Sequence, residues 1–376
     1  MRARNIWLAL CLCGCGLTPG PRLEKTLPVA KIAALEKSPD DSGWALGSDE
    51  GEVRLLDPAG QSMAAPPRLN GIVRQLAFNP GRLAYSSALT PIVHVWEPAK
   101  KQELMAWAAG DLGREATRIE HHALVWVDSQ TGQESDTSIA YVGGREAGQI
   151  NHLQWLGPDR LLVNDLRGVL SCWDLTHHSR FAQIRPPHPR GRYGFDVVQA
   201  CRDGTRVATA QYGGGGVEVF ELPGGRSLFR DDQLNNVQAL EFSPDGAYLA
   251  CAAGSKVHLI QLQAGVEAVA WDCAGRRLHF SPDGKWLAAA ANRSYVWEVA
   301  SQKQILQTGS CQDLVWLGSR PQVVALYEHG TDLHDLVSGK RTELKGDFYR
   351  ASASSDGKKL WLASKDEVQL WSLPQP

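Results

Sequence analysis

Phe242-Ser243-Pro244-Asp245-Gly246-Ala247-Tyr248-Leu249-Ala250 and Phe280-Ser281-Pro282-Asp283-Gly284-Lys285-Trp286-Leu287-Ala288 are nearly one phrase written twice, 38 positions apart. The phrase has a mechanical meaning. Pro sets φ for the first corner of a turn, Asp bonds back to the chain, and Gly accepts the positive φ of a tight reversal between two strands. Related turns stand at Arg202-Asp203-Gly204, Ser355-Asp356-Gly357, Asn79-Pro80-Gly81 and Gly157-Pro158-Asp159.

Some fifteen residues after each turn an alternating strand closes on a large residue followed by a polar one. These endings are Leu56-Asp57, Trp96-Glu97, Trp173-Asp174, Phe220-Glu221, Ile260-Gln261, Trp297-Glu298, His334-Asp335 and Trp371-Ser372. Their successive intervals are 40, 77, 47, 40, 37, 37 and 37 residues, the long one almost two periods. A repeat of this length cannot bury both faces of its own sheet, so the units must stack on one another. The reading is all-β: a single closed β-propeller of four-stranded antiparallel blades, eight in number. Seven and nine stay open, because residues 104–149 read either as a degenerate ninth blade or as an elaborated connection. The ring closes when a segment near Leu23 to Leu27 supplies the outer strand of the blade completed by residues 348–374, which leaves no unpaired edge at the chain ends.

This alternation of turn and strand ending, over nearly all of residues 25–374, resembles the WD40 family. The sequence departs from that family in lacking the Gly-His dipeptide that opens many of its repeats, and several Trp-Asp endings are eroded. The resemblance implies a scaffold that binds other proteins. Fold alone does not give a function, which has to be argued from a site.

Composition agrees with many short strands. The chain of 376 residues has 13 Trp and 37 Gly against 3 Met, and its 43% hydrophobic content is ample for a core. A formal charge of −2 gives no basic surface for nucleic acid. The expected partner is protein and the expected form a monomeric ring. Five of the eight cysteines, Cys172, Cys201, Cys251, Cys273 and Cys311, are too far apart in sequence for local zinc or redox pairs. They read as small buried hydrophobes, with one distant bridge left open.

The first residues read as an address. Arg2 and Arg4 precede an apolar run from Ile6 to Cys13, then small residues and Pro19-Gly20, the layout of an export signal. As a helix the run spans about 12 Å, well short of the roughly 30 Å hydrocarbon core. Leu12-Cys13-Gly14-Cys15 resembles the bacterial lipobox, with Cys13 where Ala, Ser or Thr is usual. That resemblance implies a signal peptide at 1–14, a lipidated Cys15 opening a short linker at 15–22, and the propeller at 23–376. It also implies a protein exported and held at the cell envelope, at the outer membrane if the cell is Gram-negative, since Gly16 is not the Asp that holds such proteins at the inner membrane. Several acyl chains anchor stably where one does not.

Chemistry-bearing patterns are scarce. Asp245, Asp283 and Asp356 recur at blade period and read as turn formers, and Trp96, Trp173, Trp297 and Trp371 as blade packing. Adjacent histidines, His121-His122 and His177-His178, point to opposite faces of a strand and cannot share one metal there. No HExxH, phosphate-cradling GxxxxGK(S/T) or GxSxG motif occurs. No catalytic residue, metal or cofactor is expected. A propeller-type hydrolase or lactonase with a metal in the central channel is the alternative, for which the inner strands offer scattered groups such as Glu241 and Asp313. A stoichiometric subunit of an envelope assembly machine is another. One stretch stands apart from the repeat: Arg185-Pro186-Pro187-His188-Pro189-Arg190-Gly191-Arg192-Tyr193, basic and proline-rich, cannot be a central strand. With the nearby Gly213 to Gly216 hairpin it is expected to emerge on one face of the ring. Arg185, Arg190, Arg192 and Tyr193 are the candidate partner-binding residues, since Arg and Tyr are frequent interface anchors.

Overall fold

The computed structural model describes residues 20–29, 31–88, 92–108, 115–120, 123–127, 134–138, 150–165, 169–184, 195, 197–211 and 215–374. They form an eight-bladed β-propeller. The inner strands of blades 1 to 8 are Ile32–Lys37, Val73–Asn79, Ile150–Trp155, Val197–Ala200, Val237–Phe242, Arg277–Phe280, Cys311–Trp316 and Arg350–Ala353. Each touches the next, and the eighth touches the first, so the ring is closed. All eight strand endings lie on the third strands of their blades. Blade 8 is completed by the N-terminal strand Arg22–Pro28, which pairs antiparallel with Glu367–Ser372.

The turn phrase builds the same object in four blades. In blade 5 the Ser243 hydroxyl donates to Asp245 (2.6 Å) and accepts from the Tyr248 amide (2.9 Å), while Asp245 accepts from Ala247 N (3.0 Å). Ser281 with Asp283, and Ser354 with Asp356, repeat the pattern. In blade 4 Cys201 stands in for the serine: its thiol donates to Asp203 and its sulfur accepts from Arg206 N at 3.1 Å. Blade 1 holds a copy hidden in the sequence. Ser38-Pro39-Asp40 is followed by Asp41, which takes the positive φ (58°) that glycine takes at Gly246 (68°). A small polar side chain tolerates that region. Asp41 also receives the Ser355 amide of blade 8 at 2.9 Å, and Lys37 donates to the Ser355 hydroxyl at 3.0 Å, so this turn ties the closing seam.

Two blades depart from four strands. Blade 1 has three, with Ser62 and Met63 only bridging to its third strand before Pro66-Pro67 ends pairing. Blade 3 carries an appendage. Gln102–Ala108 closes blade 2, and Glu115–Glu120, Ala123–Val127 and Glu134–Ser138 form a meander that joins the outer edge of blade 3 through Arg118 and Ser179. The stretch left open as a ninth blade is therefore an outer extension. None of its described strands is an inner strand of the ring.

The core lies between blades. Trp96, Trp173, Trp297 and Trp371 are all buried. The acidic residue after the large one caps the outer hairpin: Asp174 accepts from Thr176 and His177 amides, and Asp335 from Val337 and Ser338. All five described cysteines are buried and free. Burial pushes the Cys172 and Cys251 thiols up to about 12, so they are packing residues with little thiolate character.

Candidate functional site

Aligned on their pairing with the second strands, the inner strands place side chains in levels around a central channel. One level carries Glu36, Gln154, Gln199, Glu241 and His279, from blades 1, 3, 4, 5 and 6. Blades 1 and 5 are four steps apart in a ring of eight, so Glu36 and Glu241 stand on opposite walls. The neighbouring level carries His152 in blade 3 and then Arg277, Asp313 and Arg350 on consecutive blades 6, 7 and 8. The channel widens into two lobes of about 640 and 430 Å³ that share Glu36, Leu76 and Phe280.

Its charges are coupled. His279 Nε2 lies 2.9 Å from Asp313 Oδ1, which also accepts the Leu314 amide at 2.9 Å, and Arg277 Nη1 is 3.4 Å from Asp313 Oδ2. Burial opposes an imidazolium at His279, but the charge and hydrogen bond of Asp313 outweigh it and raise the pKa. Asp313 is held below the usual carboxylate range: burial opposes this, and His279 and Arg277 prevail. Burial raises Glu36 and Glu241 to about 7, against the pull of Lys37 and His279 respectively. Glu36, Glu241 and His279 are partly exposed toward the channel, the His279 side chain at 38%, while Asp313 is buried. Among the described residues no group of three or more His, Cys, Asp or Glu is placed to hold a metal ion.

Other channel-side groups are spent on joining blades. The Gln154 amide accepts from Ala200 N at 2.8 Å and donates to Ala200 O at 3.0 Å, binding blade 3 to blade 4. Trp155 donates to Ala77 O and Trp316 to His279 O, each across a blade boundary.

The strand ends that flank residues 185–194 and 212–214 on blade 4, the start of Val197–Ala200 and the end of Arg206–Ala210, lie side by side. Residues 185–194 connect the outer strand of blade 3 to the inner strand of blade 4, and residues 211–216 join the second strand of blade 4 to its third. Their described flanks are anchored. Ile184 and Phe195 are buried in one cluster with Phe220, and the Asn164 amide donates to Phe195 O at 2.9 Å. Gly216, at φ 72°, lies so close to the end of the outer strand that a Cβ would meet Asp231 O at 2.2 Å, so glycine is required there. Arg185, Arg190, Arg192 and Tyr193 lie outside the described residues, as do Cys15 and His121-His122. His177 and His178 sit in a hairpin turn, His177 3.1 Å from Asp174.

The structure brings Glu241 and Asp313 to the channel and adds Glu36, His279, Arg277 and Arg350, which sequence reading passed over. A signal was present: Arg277, Asp313 and Arg350 are 36 and 37 residues apart, one repeat each, and Glu241 and His279 are 38 apart.

No family model matches the chain, and no curated protein matches its sequence. Among solved structures it is similar to a crystal structure of the computationally designed Ika8 protein, at 14% identity and a TM-score of 0.67, covering 91% of this chain and 96% of that one. At that identity the likeness concerns the fold alone, and the fold is a β-propeller.

Proposed function

We propose that the chain is a WD40-type propeller serving as a non-catalytic protein-interaction scaffold, exported and held at a bacterial cell envelope by a lipid on Cys15. The observation that carries this reading is the pair of loops rooted on one end of blade 4. A rigid closed ring with two connections on one face of one blade, one of them basic and proline-rich, suits recognition, because loops can vary without disturbing the blade ladders beneath them. The test is crosslinking in cells followed by purification of the chain, comparing the parent with the Arg185→Ala, Arg190→Ala, Arg192→Ala triple variant. The expected result is an unchanged melting temperature and loss of a crosslinked protein. Equal recovery of every partner would overturn the reading.

The hydrogen-bonded His279–Asp313 pair, with Glu241 beside it, favours a second reading, a propeller-type enzyme such as a hydrolase or lactonase working in the channel. Under the scaffold reading His279→Ala leaves partner recovery intact. Loss of a hydrolytic activity in that variant would favour the enzyme.

A further inference from the structure

The smaller channel lobe has an electrostatic imbalance that neither loop explains. It is lined by three guanidinium groups, Arg74 of blade 2, Arg277 of blade 6 and Arg350 of blade 8, against the carboxylates of Asp313 and Glu36. Asp313 is already committed, with Oδ1 taken by His279 and the Leu314 amide and Oδ2 facing Arg277. Among the described residues Arg74 and Arg350 make no ion pair. Arg350 donates to the Tyr349 carbonyl at 3.1 Å, which uses one of its five N–H donors. Burial, and then the neighbouring Arg277 charge, lower the pKa of Arg350 against the weaker pull of Asp313 and Tyr349. Arg350 is partly buried while Arg74 and Arg277 are exposed to the lobe, and guanidinium groups that face one cavity with donors to spare are an arrangement that recognises a planar or tetrahedral oxyanion.

We infer that the channel lobe between Arg74, Arg277 and Arg350 is a binding site for a small ligand carrying an oxyanion group, phosphate or carboxylate. A bound oxyanion takes hydrogen bonds from Arg277 and Arg350 and relieves their mutual repulsion, while Asp313 and the blade-joining Trp316 indole keep the wall in place. The lobe of about 430 Å³ admits a small metabolite and not a folded domain. The site is independent of the loops on blade 4 and does not rest on their role.

The experiment is isothermal titration of the intact chain at pH 8 with inorganic phosphate and, separately, with succinate, at ionic strength held constant with sodium chloride. The expected result is saturable binding of at least one probe, weakened tenfold or more by Arg277→Gln with Arg350→Gln. An Arg226→Gln control, on the outer hairpin of blade 4, is expected to change nothing. Preference for phosphate or for succinate identifies the oxyanion. Binding no stronger than that of chloride, or equal affinity in the double variant, overturns the inference. If the double variant does not fold, Glu36→Gln supplies the test: removing a negative charge from the same lobe raises affinity for the anion severalfold, and an unchanged or lower affinity overturns the site.

Discussion

Trp361→Ala tests ring closure at the seam where the chain ends meet. In the second strand of every blade one column is fully buried against the neighbouring blade: Ala45, Ala84, Leu162, Ala208, Ala250, Ala288, Val324 and, in blade 8, Trp361. Only the closing seam places an aromatic ring in that column. Trp361 packs on Trp44 of blade 1 with centroids 5.0 Å apart, amid Val29, Ile32, Leu46, Leu56 and Leu370. Truncating a buried Trp costs about 3–5 kcal/mol, of which roughly 0.5–1.5 is the aromatic pair. For a ring of this size the unfolding entropy is about 0.8 kcal/mol/K, so the melting temperature falls by about 4–6 °C. Hydrogen exchange localises the effect. Loss of protection is expected first in Arg22–Pro28, Ile32–Lys37 and Glu367–Ser372, the strands that meet at this seam. A shift under about 1 °C, or a loss of protection spread evenly over all eight blades, would refute the claim that this seam closes the ring.

Three further outcomes follow from the same physics. Cys201→Ser stays within about 1 kcal/mol of the parent in chemical denaturation because serine holds that place in four other blades, whereas Cys201→Val strands the Arg206 amide and costs about 1–3 kcal/mol. Hydrogen bonds from Ser354 and the Lys358 amide hold Asp356 down at about 2, and those from Ser243 and the Ala247 amide lower Asp245. A depressed carboxylate contributes stability above its unfolded pKa of about 4 and loses it as pH falls through the folded value, so melting temperature drops between about pH 4 and 2. Asn in place of both residues flattens that drop; an unchanged acid limb would remove these turns from the account. Cys15→Ala releases the chain from membranes or leaves its precursor unprocessed, and unchanged membrane partition with unchanged processing would end the lipid-anchor proposal.

The fold was legible because its instructions are local. A turn such as Ser243-Pro244-Asp245-Gly246 satisfies itself within six residues, so its letters can be read without knowing what lies beside it. The copy that escaped reading uses another letter, Asp41 in place of the glycine, whereas the turn at Arg202-Asp203-Gly204 was readable although Cys201 stands in for its serine. The strands within residues 115–138 left the choice between a ninth blade and an elaborated connection open for a different reason. They pair with one another and meet the ring by a single register pair, so they carry no turn in phase with the blades.

The channel was hardly legible, and the cause is geometric. Arg277, Asp313 and Arg350 meet only because their three blades stand side by side; the inner-strand reading reached Asp313 but not the two arginines. Strand alternation gives parity, not which of two faces is shared with a neighbour, and register slips at Val237/Ala239 and Cys311/Asp313 shift that parity in the inner strands. Counting back from each turn removes the ambiguity, because the turn fixes where the second strand begins and pairing fixes the rest. Once aligned that way, a column reading Arg, Asp, Arg over three consecutive repeats stands at one height on the wall of one pore. The charge that such a column leaves unmatched is then a property of the ring and not of any one blade, which is why its ligand has to be sought with the closed chain.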